Sequence, residues 1–488
     1  MITNTQKALL EALSHALFGG DIIPLTDEMS AEAKQQAVYS LIAKGKGVYP
    51  TVINNIRVAY AQEKVGAALK GIPYVVLKGL AAAVYYPEPF WRTLGDIDIM
   101  VRPEDFDAAC TALLAAGYKT DDAIDNATGV VSSNKSDDMM GESLNNSSCN
   151  SSGNVADNAA DCPKTNASVH TSNKITDKRP RHIHFHRNGV LIELHRTYAE
   201  LNTPEAEALL DGWIYQGISH PAYARVLDDK VVVGQNTTPT SAEQFTVEQS
   251  SVERSATDQS TSGQAINTLS SAPSISFSSS ADGQPFPMLP EPLNGLTLLA
   301  HISQHLEDGL GLRQIIDWVM YVDKQLHDDT WPQFKERTDL LGLTKLAKVT
   351  ARLGQMYLGL DNNIMWCKGV DDALATELLE YVFECGNFGQ KAPMSNTVTY
   401  VLSHGKGLSG FFRNLQRRGE GNWLAYQRHH ILKPFCWIYQ AGRYASRGLK
   451  NGHTLSALGR DWSSSRKRNR LIEALGATQL AVRDKGKK

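Results

Sequence analysis

Asp96 and Asp98 stand two positions apart at the head of an otherwise apolar run, Asp-Ile-Asp-Ile-Met-Val at 96–101. In a strand, side chains at i and i+2 share a face, about 7 Å apart. Two carboxylates so placed repel, and each favours a proton unless a cation lies between them. Met100 continues their face, while Ile97, Ile99 and Val101 fill the other. One face is therefore greasy enough to bury, and the other carries paired charge that nothing in the strand neutralises. This layout predicts a divalent-metal site on the exposed face of a sheet. The competing explanation is a pair of solvated acids on an edge strand, but Asp is depleted in strands and two at alternate positions call for a reason.

A third carboxylate comes from Arg181–Tyr198, which contains His-Ile-His-Phe-His-Arg-Asn-Gly-Val-Leu-Ile-Glu-Leu-His at 182–195. Asn188-Gly189 between two alternating runs predicts a two-residue hairpin. With that turn, Phe185 faces Ile192, His184 faces Glu193, Ile183 faces Leu194 and His182 faces His195. Ile183, Phe185, Val190, Ile192 and Leu194 then share one face; His182, His184, His186, Glu193 and His195 share the other. A slip of one residue would mix the two sets, so the pattern specifies its own register. Glu193 thus becomes a third acid on a polar sheet face. Three such acids suit two magnesium ions about 3.5–4 Å apart, one activating an attacking oxygen and one binding a triphosphate.

Cations and a phosphate-sized turn lie upstream. Gly79 falls where a short strand, Tyr74–Leu77, passes into a helix, and the missing Cβ lets backbone amides approach a phosphate. Lys78 and Arg92 suit phosphate oxygens. His184 and His195 are candidates for phosphate or acceptor contacts, or for a softer metal. His182 and His186 are more simply polar residues on that face. His301 and His305 share a helix face at i, i+4, but Ile302 occupies the place of the Glu in His-Glu-x-x-His. That face is expected to pack toward the cleft or to pair polar groups. Arg313 and Asp317, also i, i+4, read as an ordinary helix ion pair.

The elements that must hold these residues follow from periodicity. Helices are expected over Gln6–Phe18, Ser30–Ala43 with Ser30 as N-cap, and Val52–Lys70. Tyr74–Leu77 is a strand, Gly79–Tyr86 a helix, Asp96–Val101 a strand. Another helix starts at Pro103-Glu104-Asp105, runs to Ala116 and stops at Gly117. Leu296–Leu306 and Leu312–Lys324 read as helices broken at Gly309 and Gly311, followed by Leu341–Leu358 and Asp371–Cys385. Two tracts, about 120–177 and 237–283, are dominated by small polar residues. They cannot bury enough apolar surface to offset their ordering entropy and read as disordered insertions.

The chain has 488 residues, 42% hydrophobic and 21% charged, with a net charge of −3. These values fit a soluble protein of more than one domain and select no acidic or basic partner. The expected division is a helical region 1–70, a catalytic domain 71–234, a low-complexity segment 235–284, a helical domain 285–402 and a basic helical region 403–488. Six cysteines lack Cys-x-x-Cys spacing, which suggests neither a structural zinc site nor a disulfide framework and fits a reducing cytoplasm. The amphipathic start is not that of a signal peptide, and no apolar run is long enough to span a bilayer. The basic, aromatic C-terminal region suits nucleic acid or an anionic membrane by charge, but a solvated helical face explains it more simply.

Leu-Lys-Gly at 77–79, Arg92, Asp-Ile-Asp-Ile at 96–99 and Ile-Glu-Leu-His at 192–195 together resemble the uncharacterised nucleotidyltransferase family of the DNA polymerase β-like superfamily. Leu80 stands where the wider superfamily has a Ser, so a hydroxyl contact to phosphate is missing. The resemblance implies an α+β fold with a polymerase β-type mixed sheet flanked by N- and C-terminal helices. It further implies transfer of a nucleoside monophosphate from an NTP to an acceptor hydroxyl, with Mg2+ (or Mn2+) as cofactor. In that reading Asp96 and Asp98 hold both metals, and Glu193 holds the catalytic one and takes the acceptor's proton. A nucleotide-sugar glycosyltransferase with Asp-x-Asp, and a non-catalytic binding module of the same fold, are the competing functions. The acceptor, the preferred base and the oligomeric state are not encoded in any of these motifs.

Overall fold

The computed structural model describes residues 1–43, 45–120, 123–125, 130–132, 181–198, 201, 203–227, 230–234, 285–389 and 391, scattered positions between 412 and 423, then 430–450 and 467–476. Most of both polar tracts therefore lies outside the described residues, as do the last residues of the basic tail.

The fold is α+β. Its sheet runs in the order β3-β6-β7-β2-β1-β10-β8-β9. The central strands are β1 (Tyr74–Leu77), β2 (Ile97–Val101), β6 (His182–Arg187), β7 (Val190–His195) and β10 (Phe286–Met288). β3 (Lys119–Thr120), β8 (Ala222–Leu227) and β9 (Lys230–Gly234) complete it, while β4 (Ala123–Asp125) and β5 (Val130–Ser132) form a separate ribbon. β1 is antiparallel to β2 and parallel to β10; β2 is parallel to β7; β6 and β7 are antiparallel. The sheet is mixed, as the resemblance implies. One strand, β10, comes from beyond the second polar tract.

The hairpin has the predicted register, with Phe185 opposite Ile192, His184 opposite Glu193, Ile183 opposite Leu194 and His182 opposite His195. Asn188 and Gly189 both take positive φ, 51° and 72°, which a tight primed turn requires and which Asn-Gly supplies at least cost.

Each sheet face has its own cover. Ile97, Ile99, Val101, Ile183, Phe185, Ile192 and Leu194 pack against Val58 and Val65 of helix α4 (Tyr49–Ala68) and Phe106, Ala109 and Leu113 of α6 (Phe106–Ala115). The opposite face sends Val75, Leu77 and Met100 into a larger helical core. That core is built from α1 (Asn4–Phe18), α2 (Asp27–Gln35), α3 (Tyr39–Ile42), α5 (Gly79–Ala83), α7 (Pro204–Ser219), α8 (Leu293–Asp308), α9 (Leu312–Gln325), α10 (Trp331–Leu341), α11 (Thr344–Tyr357) and α12 (Asp372–Cys385). The face that carries the acids is consequently not an exposed one: Asp98 is buried. Helices drawn from both ends of the chain roof it. Gln36 joins them, donating to the Val382 carbonyl at 3.2 Å and accepting from the Leu312 N–H at 3.0 Å.

Several boundaries differ from those read in the sequence. Thr26, not Ser30, caps α2 through the Met29 N–H, and the helix ends before Ala37, whose φ is 55°. Asp96 precedes β2 instead of beginning it, and α5 ends at Ala83. Leu341 closes α10, and Gly342 in the left-handed region separates it from α11. Beyond α12 lies α13 (Cys436–Lys450), and Leu471, Ile472 and Leu475 return to the helical core.

Gly295 of α8 shows how closely the roof is packed. A Cβ there would lie 2.0 Å from Cζ of buried Tyr321 on α9, whereas one at Gly212 of α7 would meet nothing within 4 Å. Glycine inside a helix normally costs about 1 kcal/mol relative to alanine, so Gly212→Ala should raise the melting temperature. Gly295→Ala should lower it, because the collision with the Tyr321 ring costs roughly 1–3 kcal/mol and exceeds the gain in propensity. Thermal denaturation of the two variants side by side checks this; stabilisation by both would contradict the packing argument.

Candidate active site

The acids meet through the parallel pairing of β2 with β7, which sets Asp98 beside Glu193 and Met100 beside His195. Strand alternation then points Asp98, Glu193 and His195 to the roofed face. Each of the three offers a ligand atom, all within 4.8 Å of one another. His195 Nε2 lies 3.0 Å from Asp98 Oδ1 and 3.4 Å from Glu193 Oε2. His184, opposite Glu193 on β6, places Nε2 3.2 Å from Glu193 Oε1. The His182 ring stands 5.2 Å from that of His195, whereas His186 is exposed at the outer end of its strand. Asp96, one residue outside β2, is not part of the 4.8 Å group.

Lys78 comes from the end of β1. Its Nζ is 2.7 Å from Asp98 Oδ1, where the antiparallel register pairs Leu77 with Asp98. Both Lys78 and Gly79 have positive φ, 48° and 40°, so the chain turns sharply here and only one of the two residues is glycine. Burial would lower the Lys78 ammonium, but the charge of Asp98, with Tyr198, Glu193 and Asp96, outweighs it and holds the group firmly protonated.

The carboxylates differ in character. Burial, then repulsion by Asp98 and Glu193, pushes the Asp96 carboxyl up to about 6. Burial also acts upward on Glu193, but hydrogen bonding with His184 and His195 and the charge of Lys78 prevail and hold it well below the usual range. Burial pulls the His195 imidazolium down, and its contacts with Asp98 and Glu193 more than reverse this. Two carboxylates and an imidazole are ligands that fit a divalent cation, and the adjacent ammonium fits a phosphate bound to it.

Residues 49–230 match a protein-family model described as uncharacterised nucleotidyltransferase. This stretch is a nucleotidyltransferase domain of that family. It contains Lys78, Gly79, Arg92, Asp96, Asp98, His184, Glu193 and His195. No curated protein and no solved structure matches the chain.

Arg92 serves the nucleotidyltransferase domain in a way no local motif signals. Its Nε and Nη2 donate to the two oxygens of Asp317 on α9, each at 2.7 Å, and both side chains are buried. The Tyr86 hydroxyl donates to the same Asp317 Oδ1 at 2.7 Å. The fork of the guanidinium is thus taken up by a carboxylate 225 positions later. Asp317 does not pair with Arg313 as the helix spacing implies. Arg313 instead donates to the Thr93 carbonyl at 3.2 Å and lies over the Phe388 ring. His301 and His305 meet each other through their Nε2 atoms at 2.8 Å. Of these contacts, only the His301–His305 pairing was readable from spacing; the others join residues far apart in sequence.

Because Arg92 and Asp317 are both buried, removing one leaves an uncompensated charge. Asp317→Leu should destabilise the protein by about 3–5 kcal/mol. The double variant Arg92→Met with Asp317→Leu should recover most of that loss. Chemical denaturation of both singles and the double checks the pairing; additive losses would mean the two side chains do not depend on each other.

Proposed function

We propose that the protein transfers a nucleoside monophosphate from an NTP to an acceptor hydroxyl, with a divalent metal, Mg2+ or Mn2+, at Asp96, Asp98 and Glu193. The observation that carries this reading is the convergence of Asp98, Glu193 and His195 at one register of β2 and β7, with Lys78 against Asp98, inside the segment that matches a nucleotidyltransferase family.

Bound there, a divalent cation would supply Lewis acidity to the phosphoryl group under attack and acidify the incoming hydroxyl. The chain's own residues account for the remainder. Lys78 is a buried, firmly charged donor next to the metal ligands and suits a phosphate oxygen of the nucleotide. Gly79 lets the backbone turn beside it without a Cβ in the way. Glu193, kept ionised by His184 and His195, suits ligation. Asp96 stands outside the tight cluster, its carboxyl pushed up to about 6 by burial and by Asp98 and Glu193, a repulsion that a cation among the three would relieve. In the balanced step the acceptor oxygen bonds to the α-phosphorus, the bond to the β-phosphate oxygen breaks, the proton passes to Glu193 and pyrophosphate leaves. His195 acts as a third ligand or orients Asp98. Arg92, committed to Asp317, holds the loop that precedes Asp96, and its expected contact with phosphate is replaced by this positioning role.

One observation favours a second reading. The Lys78–Asp98 pair neutralises the central carboxylate internally, as a domain that binds nucleotide without turning it over would need. No helix among the described residues is long and apolar enough to cross a membrane, and the four described cysteines are free thiols, which supports a cytoplasmic setting.

Incubation with each NTP, Mg2+ or Mn2+, and candidate acceptors should release pyrophosphate, and mass spectrometry of every component should show one added nucleoside monophosphate. Asp98→Asn should cut the rate at least about 100-fold in protein that is still folded at the assay temperature, and should also lower the melting temperature, because it leaves the buried Lys78 ammonium without its partner. Undiminished turnover by this variant would overturn the site assignment. Nucleotide binding without pyrophosphate would favour the binding module, and turnover of nucleotide sugars alone would favour a glycosyltransferase.

A further inference from the structure

The roof over the acidic face contains a second group of polar side chains that the transfer chemistry above leaves unused. Arg313 on α9 is 8% exposed. Its Nη1 donates to the Thr93 carbonyl, and that carbonyl also accepts from Arg92 Nη1 at 3.3 Å. Arg313 is therefore anchored on the loop that leads, three residues later, into Asp96. Among the described residues no carboxylate pairs with it within ion-pair distance, and its buried Nε meets no hydrogen-bond partner. A buried guanidinium without an anion is costly. Arg92 has Asp317; Arg313 has none of its own.

Two further features adjoin it. The Phe388 ring, on a residue with φ of 53°, lies 5.2 Å from the Arg313 guanidinium and 4.9 Å from the His305 ring. One aromatic face thus holds both side chains in place. His305 contacts His301 through Nε2, and its buried Nδ1 has no partner. If His301 donates from Nε2, His305 carries its own proton on Nδ1, where it meets no acceptor. Both rings are neutral: burial, then the charge of Lys78, holds His301 well below its ordinary value, and burial, then Lys78 and Arg313, takes His305 down to about 3. The anchor of Arg313 on the Thr93 carbonyl, three residues before Asp96, sets this group beside the acidic face.

We infer that Arg313 and His305, braced by Phe388 and His301, form an anion-binding subsite for the terminal phosphates of the nucleotide. This rests on the nucleotidyltransferase reading for the identity of the ligand, but not for the existence of the subsite. Arg313 Nε–H, and His305 Nδ1–H in that tautomer, are donors of the kind a phosphate oxygen completes, and the guanidinium carries a positive charge that Asp317, committed to Arg92, does not pair with.

Inorganic triphosphate separates the subsite from the transfer reaction. Isothermal titration of the full-length protein with triphosphate and Mg2+ should show binding. Arg313→Gln should weaken it at least about tenfold, the loss expected for one charge-assisted hydrogen bond. Arg313→Lys should weaken it less, and His305→Phe, which keeps the ring against Phe388, should weaken it several-fold. Arg352→Gln, which removes the same charge at an exposed pair with Asp372, should bind as the parent does. If Arg313→Gln does not fold, Arg313→Lys and His305→Phe carry the test. Parental affinity in the folded Arg313 and His305 variants, or no triphosphate binding by the parent, would overturn the subsite. A protein that binds triphosphate through Arg313 yet releases no pyrophosphate from any NTP would keep the subsite and sink the transfer reaction.

Discussion

The buried pair between Arg92 and Asp317 is the constraint on which the site's architecture depends. It joins the loop before β2 to a helix of the roof, in a setting where neither charge can be left alone. Because Asp317 accepts from both the guanidinium and the Tyr86 hydroxyl, it fixes the end of the segment that follows Lys78 and the start of the segment that delivers Asp96. Around it, Asn55 donates to the Phe90 and Arg92 carbonyls, and its own oxygen accepts from the Leu94 N–H. The loop's backbone polar groups are thus satisfied by side chains, as a buried irregular segment requires. A catalytic strand in an α+β sheet is placed by its ladder; the residue just outside the ladder needs this second means.

The roof also changes the chemistry of the acids. On an open sheet face Asp96, Asp98 and Glu193 would be screened by water and their interactions weak. Beneath α8 and α9 they sit among Lys78, Arg92 and Arg313, all buried or nearly so, and the same distances matter far more. This is why Asp96 and Glu193, of similar intrinsic acidity, part company, Asp96 drifting toward neutrality while Glu193 stays ionised. Histidines complete the difference, since two of them attend Glu193.

What was legible in the sequence was whatever a short period controls. Alternation at 182–187 and 190–195 around Asn-Gly determined the hairpin, its register and the company Glu193 keeps, because a one-residue slip would bury charge. The same alternation at 97–101 separated Asp98 from Ile97 and Ile99. What was not legible depended on partners far along the chain. Little near Asp96 says that its face will be covered, since most of the cover comes from helices before residue 43 and after residue 203. Nothing near Arg92 names Asp317, and the i, i+4 spacing of Arg313 with Asp317 points to the wrong partner because it ignores a third residue with a stronger claim. β10, only Phe-Pro-Met, has no periodicity to read, and the proline argues against a strand. The Ser30 cap failed for a smaller reason: Thr26 is an equally good cap one turn earlier, and it was the one that allowed Met29 and Ala33 to face the core.

The position of the first polar tract has a consequence for how the protein could be handled. It leaves the sheet after β3 and the β4–β5 ribbon and re-enters at β6, on the outer side of the ladder that unites Asp98 with Glu193. The hairpin carries its own turn and its own register, so the length of the connection does not set where Glu193 lies. A chain severed within 133–180 would divide the site between two polypeptides, Lys78, Arg92, Asp96 and Asp98 on one and Glu193, His195 and Arg313 on the other. Their reunion would rest on the β2–β7 ladder and the roof's core, which makes this protein a natural candidate for fragment complementation.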